Sequence, residues 1–128
     1  MKKIRTRTAE LYIDQYGILH LQVLADAKMD QEDALDNLLV IRHLTNNQPV
    51  LKLFDLRQKN WSINKATFDF LESKETENKT IARAVVTTSF TNKLLVHFLA
   101  RIYKKEIPFN IFSSPEAAIE WLRKKGRA

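Results

Sequence analysis

The stretch "VLKLFDL", residues 50–56, most limits what this chain can become. Pro49 precedes it and the polar run "RQKN" follows, so the apolar segment is too short for an ordinary helix. In a strand, successive side chains point to opposite faces, and this run carries apolar residues on both. Such a strand needs cover above and below, as a central or parallel strand has. The stretch predicts the middle of an α/β sheet with helices packed against it.

The rest of the chain fits that frame. "TAELYID" (8–14) alternates, with Ala9, Leu11 and Ile13 on one side. "DQYG" is a turn in which Gly17 can take positive φ. "ILHLQVLA" alternates again, with Leu19, Leu21 and Val23 opposed to His20 and Gln22, which completes a β-hairpin. Asp30 is placed to cap a helix, with Asp33 three residues on. Ala34, Leu38, Ile41 and Thr45 follow at helical spacing, supported by Leu35 and Leu44, and "NNQP" ends the run. After the central strand, Ser62 fits an N-cap. Ile63, Ala66, Thr67 and Phe70 then form a helical stripe that Phe68 and Leu71 widen. "IARAVVTTSF" (81–90) reads as a further buried strand and "TNKLLVHFLARIYKK" as an amphipathic helix. "IPFNIF" (107–112) reads as a short strand. "SSPEAAIEWLRKKG" has a full helix signature: Ser114 as cap, Pro115 first, Glu116 in the first turn, basic residues in the last, and Gly126 as the stop. The predicted order is β-β-α-β-α-β-α-β-α, an α/β fold with a mixed sheet, as a single domain over residues 1–128.

Composition narrows the chemistry. There are no cysteines, which excludes disulfides, thiolate metal sites and cysteine nucleophiles and suits a cytoplasmic protein. The basic N-terminus has no apolar stretch behind it, and no apolar run approaches the ~20 residues that span a bilayer. Two glycines cannot build either glycine-rich phosphate loop. His20, His43 and His97 lack metal-site spacing and are expected on polar or boundary positions. The acids Asp30, Glu32, Asp33 and Asp36 sit where a helix dipole favours them and lack the pattern of a calcium loop. No nucleophile–base pair, metal set or cofactor motif emerges, so no catalytic residue and no cofactor is assigned. The formal net charge is +6, all of it in residues 81–128, which hold nine basic and three acidic groups. No aromatic–basic interleaving in sequence accompanies that charge, so it is assigned to helix ends, and nucleic acid is disfavoured as a partner.

The connection "FDLRQKNWSINKATFDF" (54–70) is the place for a functional surface, because loops after parallel strands commonly carry it. A phosphoacceptor role for Asp55, as in a response-regulator receiver, would need an acidic pair after the first strand and a lysine after the last. The hairpin and "IFSSPE" stand there instead.

The strand-closing "FDL", the run "ARAVVTTSFTNKLLVHFLARIYKKEIPF" and the tail "PFNIFSSPEAAIEWL" together resemble the STAS superfamily, in its SpoIIAA-like branch, over nearly the whole chain. The resemblance implies a mixed sheet with packed helices and a regulatory or interaction role rather than catalysis. In some relatives a serine preceded by aspartate at the start of the second helix is a phosphorylation switch. This chain has no Asp-Ser pair, and Trp61-Ser62-Ile63-Asn64-Lys65 stands there. Asp55 matches the strand-closing acid, and Ser62 is expected to cap a helix rather than to be a switch. The leading expectation is a protein-interaction module with Asp55, Arg57, Trp61, Ser62 and Phe68 as its candidate surface, and a homodimer is compatible with it. The alternatives are a small-ligand or anionic-lipid module working through the 92–105 helix, and weak nucleic-acid binding through the basic C-terminal third.

Overall fold

A computed structural model of the chain describes residues 2–75, 80–88 and 107–127, with 72–75 as backbone only. The elements are β1 (Ile4–Arg5), β2 (Ala9–Ile13), β3 (Ile18–Val23), β4 (Lys28–Met29), α1 (Gln31–Thr45), β5 (Val50–Asp55), β6 (Ser62–Ile63), α2 (Lys65–Glu75), β7 (Thr80–Val86), β8 (Phe109–Phe112) and α3 (Pro115–Gly126). The helix expected over 92–105 lies outside the described residues. Among the described residues no helix is long and apolar enough to cross a membrane.

Six strands form one mixed sheet in the order β1-β2-β3-β5-β7-β8. β1, β2 and β3 run antiparallel, and β3, β5, β7 and β8 run parallel. The predicted central strand is central, with β3 on one side and β7 on the other. The hairpin turn closes as its residues dictate. Gly17 takes φ +77°, and the Asp14 carboxylate accepts the N–H groups of Tyr16 (2.8 Å) and Ile18 (3.0 Å).

The two faces of the sheet differ. One carries Ala9, Leu11, Leu19, Leu21, Val23, Val50 and Val85, packed with Ile41 of α1. α2 packs in turn against α1. The same face holds Lys52, which is fully buried, and its register partner Arg83, whose guanidinium lies 5.9 Å from the Phe54 ring centroid. The other face carries Ile18, Leu51, Leu53, Ala82, Ala84 and Val86 beneath Ala118 and Leu122 of α3. Three alanines in that contact let the helix approach closely. At Gly126 an added Cβ would stand 3.0 Å from Leu51 Cδ1. Gly126 ends the helix, as expected. It is the last helical residue, and Arg127 follows as a right-handed cap.

The caps of α1 form as expected. Asp30 and Asp33 make a reciprocal capping box, and Asn46 ends the helix with φ 52°. Leu35 does not join the core: it and Leu39 stand on the outer face at 43% and 51% exposure, while Asn37 is buried. Asn37 is held there by Thr8 Oγ1, to which its amide donates at 3.0 Å, and by the Thr6 hydroxyl, 2.6 Å from its Oδ1.

Candidate functional site

Asp55 is the last residue of β5 and is nearly buried. Its carboxylate is committed to a residue two places on. Arg57 Nε donates to Oδ1 at 2.9 Å, Nη2 donates to Oδ2 at 2.8 Å, and the Arg57 backbone N–H adds a third bond to Oδ1 at 3.1 Å. This clasp is bidentate, the strong geometry for a guanidinium and a carboxylate. It holds the Arg57 pKa above its usual value, with a smaller attraction from Glu116 in the first turn of α3. Both oxygens of Asp55 are thus engaged, which explains the acid as an anchor for the loop.

Arg57, Gln58, Lys59 and Asn60 are all exposed, and the loop is laced to the one after β3. Asp26 N–H donates to the Lys59 carbonyl at 2.9 Å, and the Asn60 amide donates to the Asp26 carboxylate at 3.1 Å. Asp26 and Asn60 both occupy the left-handed region, at φ 62° and 58°. For residues other than glycine this costs on the order of 1 kcal/mol each, least for Asn and Asp, and it persists where the surroundings fix it. The indole N–H of Trp61 donates back to the Leu56 carbonyl at 3.0 Å. The half-buried Trp61 ring packs against two hydrophobic clusters, so it folds over the end of the sheet.

Two expectations about this stretch are corrected. Ser62 does not cap α2. It lies in β6, paired in parallel with β4, and its N–H donates to the Ala27 carbonyl at 2.8 Å. Asn64 is the cap, its Oδ1 accepting the Thr67 N–H at 2.7 Å, so the helix begins at Lys65. Ile63 consequently belongs to a strand and is out of phase with the helical stripe. Thr67 and Phe68 are the buried positions, and Ala66 is exposed. Phe68 is therefore not an exposed anchor: at 6% exposure it packs with Ile63, Met29, Trp61, Leu71 and Phe109. Of the five candidates, Arg57 and Ser62 present exposed side chains, while Asp55, Trp61 and Phe68 lie beneath and hold the surface in place.

The sheet face beside this loop carries polar groups that composition did not reveal. Register places Glu10, Gln22 and Asp55 in one row and Tyr12, His20 and Leu53 in the next. His20, expected on a polar or boundary position, is only 7% exposed. Its Nε2 lies 2.7 Å from the Asp14 carboxylate, and its ring stacks on Tyr12 with centroids 4.5 Å apart and planes 10° apart. Burial raises the Tyr12 pKa first, and the negative charges of Asp14, Asp55 and Glu10 raise it further. Only the hairpin register could have revealed this group, since Tyr12 and His20 meet as cross-strand partners.

Fold and site together define a SpoIIAA-like α/β domain with a tied loop after its central strand. A crystal structure of an uncharacterised protein of the DUF3478 family from Shewanella loihica PV-4, with a SpoIIAA-like fold, matches at a TM-score of 0.61. It is 15% identical and covers 89% of this chain and 91% of that chain. At that identity what the two share is the fold. No curated protein matches the chain. The chain belongs to the family described as Domain of unknown function (DUF7793), whose model matches residues 11–125.

Proposed function

We propose that this chain is a cytoplasmic, non-enzymatic interaction module that binds a protein partner through the loop from Arg57 to Ser62, without a phosphorylation switch. The observation that carries the reading is the lacing of that loop. Five exposed polar side chains, those of Arg57, Gln58, Lys59, Asn60 and Ser62, stand on a backbone fixed by the Asp55 clasp, the Asp26 bonds and the Trp61 indole. A surface ordered before binding loses less entropy on association, which is how a small polar loop can be specific. The engagement of Asp55 by Arg57 supports a binding role over an acid–base one. Ser62 follows Trp61 rather than an aspartate and is held in a strand, which supports the absence of a switch.

The loop's two layers predict different mutational behaviour. Trp61→Ala is expected to cost about 2 kcal/mol of stability, because a packed ring and its hydrogen bond are lost. Lys59→Ala is expected to change stability by less than about 0.5 kcal/mol. Urea unfolding of both variants checks this, and equal costs would contradict the division into support and surface. The interface itself is tested by a photo-crosslinking phenylalanine derivative at Gln58, with the same group at Leu39 on the outer face of α1 as control. The expected result is one discrete adduct from Gln58 that Lys59→Glu abolishes. Equal adducts from both positions, or none from Gln58, would overturn the proposal.

A further inference from the structure

The outer face of α1 carries an apolar strip between charges of opposite sign. Asp33, Ala34, Asn37, Leu38 and Ile41 turn inward. Leu35 and Leu39 point the other way, at 43% and 51% exposure. Four residues apart, they are neighbours on the helix surface. Among the described residues the other large exposed apolar side chains are Tyr16, in the hairpin turn, and Ile81, in β7, so only the two leucines share an element. A single exposed leucine is ordinary, whereas two adjoining ones leave a small apolar strip in water. Glu32 lies three residues before Leu35 and Arg42 three residues after Leu39, so both fall on the same stripe. Glu32 is exposed, and Arg42 is half-buried with the exposed His43 beside it. Along the helix the stripe reads acid, leucine, leucine, base.

That order is complementary to itself. A two-fold axis crossing α1 beside Asn37 sets Leu35 against the partner's Leu39 and Glu32 against the partner's Arg42, and each contact then occurs twice. The paired helices run antiparallel, so their dipoles also attract. The dipole of α1 alone accounts for an acid in its first turn and a base in its last. It does not account for two leucines on the solvent side between them. A basic or an acidic partner would match one half of the stripe, whereas a second copy matches both. Asp36 works against the pairing: it is exposed at the edge of the stripe, one residue from the axis, and comes near its own copy. Two helices of 15 residues also make a small contact, below about 1,200 Å², which is the size of transient associations.

We propose that the chain forms a transient homodimer by antiparallel pairing of α1 with α1 of a second copy. The surface shares no residue with the loop from Arg57 to Ser62, so either proposal can fail without the other. A photo-crosslinking group at Leu39 would give only the chain's own dimer, which its mass separates from an adduct at Gln58. The test is sedimentation equilibrium from about 10 µM to about 1 mM, with half-association expected on the order of 100 µM. Leu39→Glu places a good helix former at an exposed position and is expected to leave the chain monomeric throughout. Glu32→Arg and Arg42→Glu each set like charges opposite one another, and each is expected to weaken association about tenfold. Together they restore opposite charges and are expected to bring association back to within about threefold of the parent. Asp36→Asn removes the like-charge approach at the axis and is expected to tighten association about threefold. Thermal melts accompany each variant. If a reversal at a helix end lowers the melting temperature, Leu39→Glu and Asp36→Asn decide. The proposal is overturned by a monomer at about 1 mM, by association that Leu39→Glu leaves unchanged, or by a folded double reversal that stays as weak as the single ones.

Discussion

Leu122→Ala is expected to destabilise the protein by about 3 kcal/mol, within the range for a fully buried leucine. For a chain of this size that lowers the melting temperature by roughly 10–15 °C. Leu122 is 0% exposed and, with Ala118, holds α3 against Ile18, Leu51, Leu53, Ala82, Ala84 and Val86. On the helix side the buried pair is Ala118 and Leu122, so truncating Leu122 leaves a cavity beneath α3. The loss should also reach the proposed loop surface, because α3 carries Glu116 toward Arg57. Thermal unfolding followed by circular dichroism measures the effect. A drop of less than about 4 °C would mean that α3 contributes little to the folded state.

What the sequence disclosed follows from how local each signal is. The apolar run of β5, the alternation of the hairpin and the cap residues Asp30, Asn46 and Ser114 act within one element, and each stands where its chemistry placed it. The two-residue strands β1, β4 and β6 were not legible, because they exist only through pairing with distant segments. That pairing misled the reading of α2. Ile63 lies at helical spacing from Phe70, but its bond to β4 takes it out of the helix and passes the cap to Asn64. Gly126 does end α3, but its sequence position did not show that an added Cβ there would meet Leu51.

The candidate site was legible as a place and not as a set of roles. A strand-closing acid followed by a polar loop marked the right segment, but exposure depends on tertiary contacts. Phe68 and Trp61 look alike in sequence to any exposed aromatic, and both are packed. The neighbours of the site come from further away still. Tyr12 and His20 depend on hairpin register, and Tyr16 meets Arg123 only after α3 crosses the same face of the sheet.

Asp33→Asn is expected to cost about 2 kcal/mol at pH 7 and to make stability less sensitive to acid. Asp33 is 5% exposed; its carboxylate accepts two contacts from the Arg7 guanidinium and one from the Asp30 backbone N–H, while its own backbone N–H donates to the Asp30 carboxylate. Charge-assisted bonds of this kind are worth roughly 1.5–3 kcal/mol, and the exposure of Arg7 to solvent favours the lower part of that range. The hydrogen bond from Arg7 is the largest influence on the Asp33 carboxyl and holds its pKa below the usual 3.8, against the opposing effect of burial. A carboxyl whose folded pKa is depressed contributes stability that is present above its unfolded value and is lost as pH falls through the folded one. The parent should therefore lose this contribution below about pH 4, and the gap between parent and variant should close there. Urea titrations at pH 7, 5, 4 and 3 give the two curves. If the gap is as wide at pH 3 as at pH 7, the ionised pair with Arg7 is not what holds the start of α1 to the segment before β2.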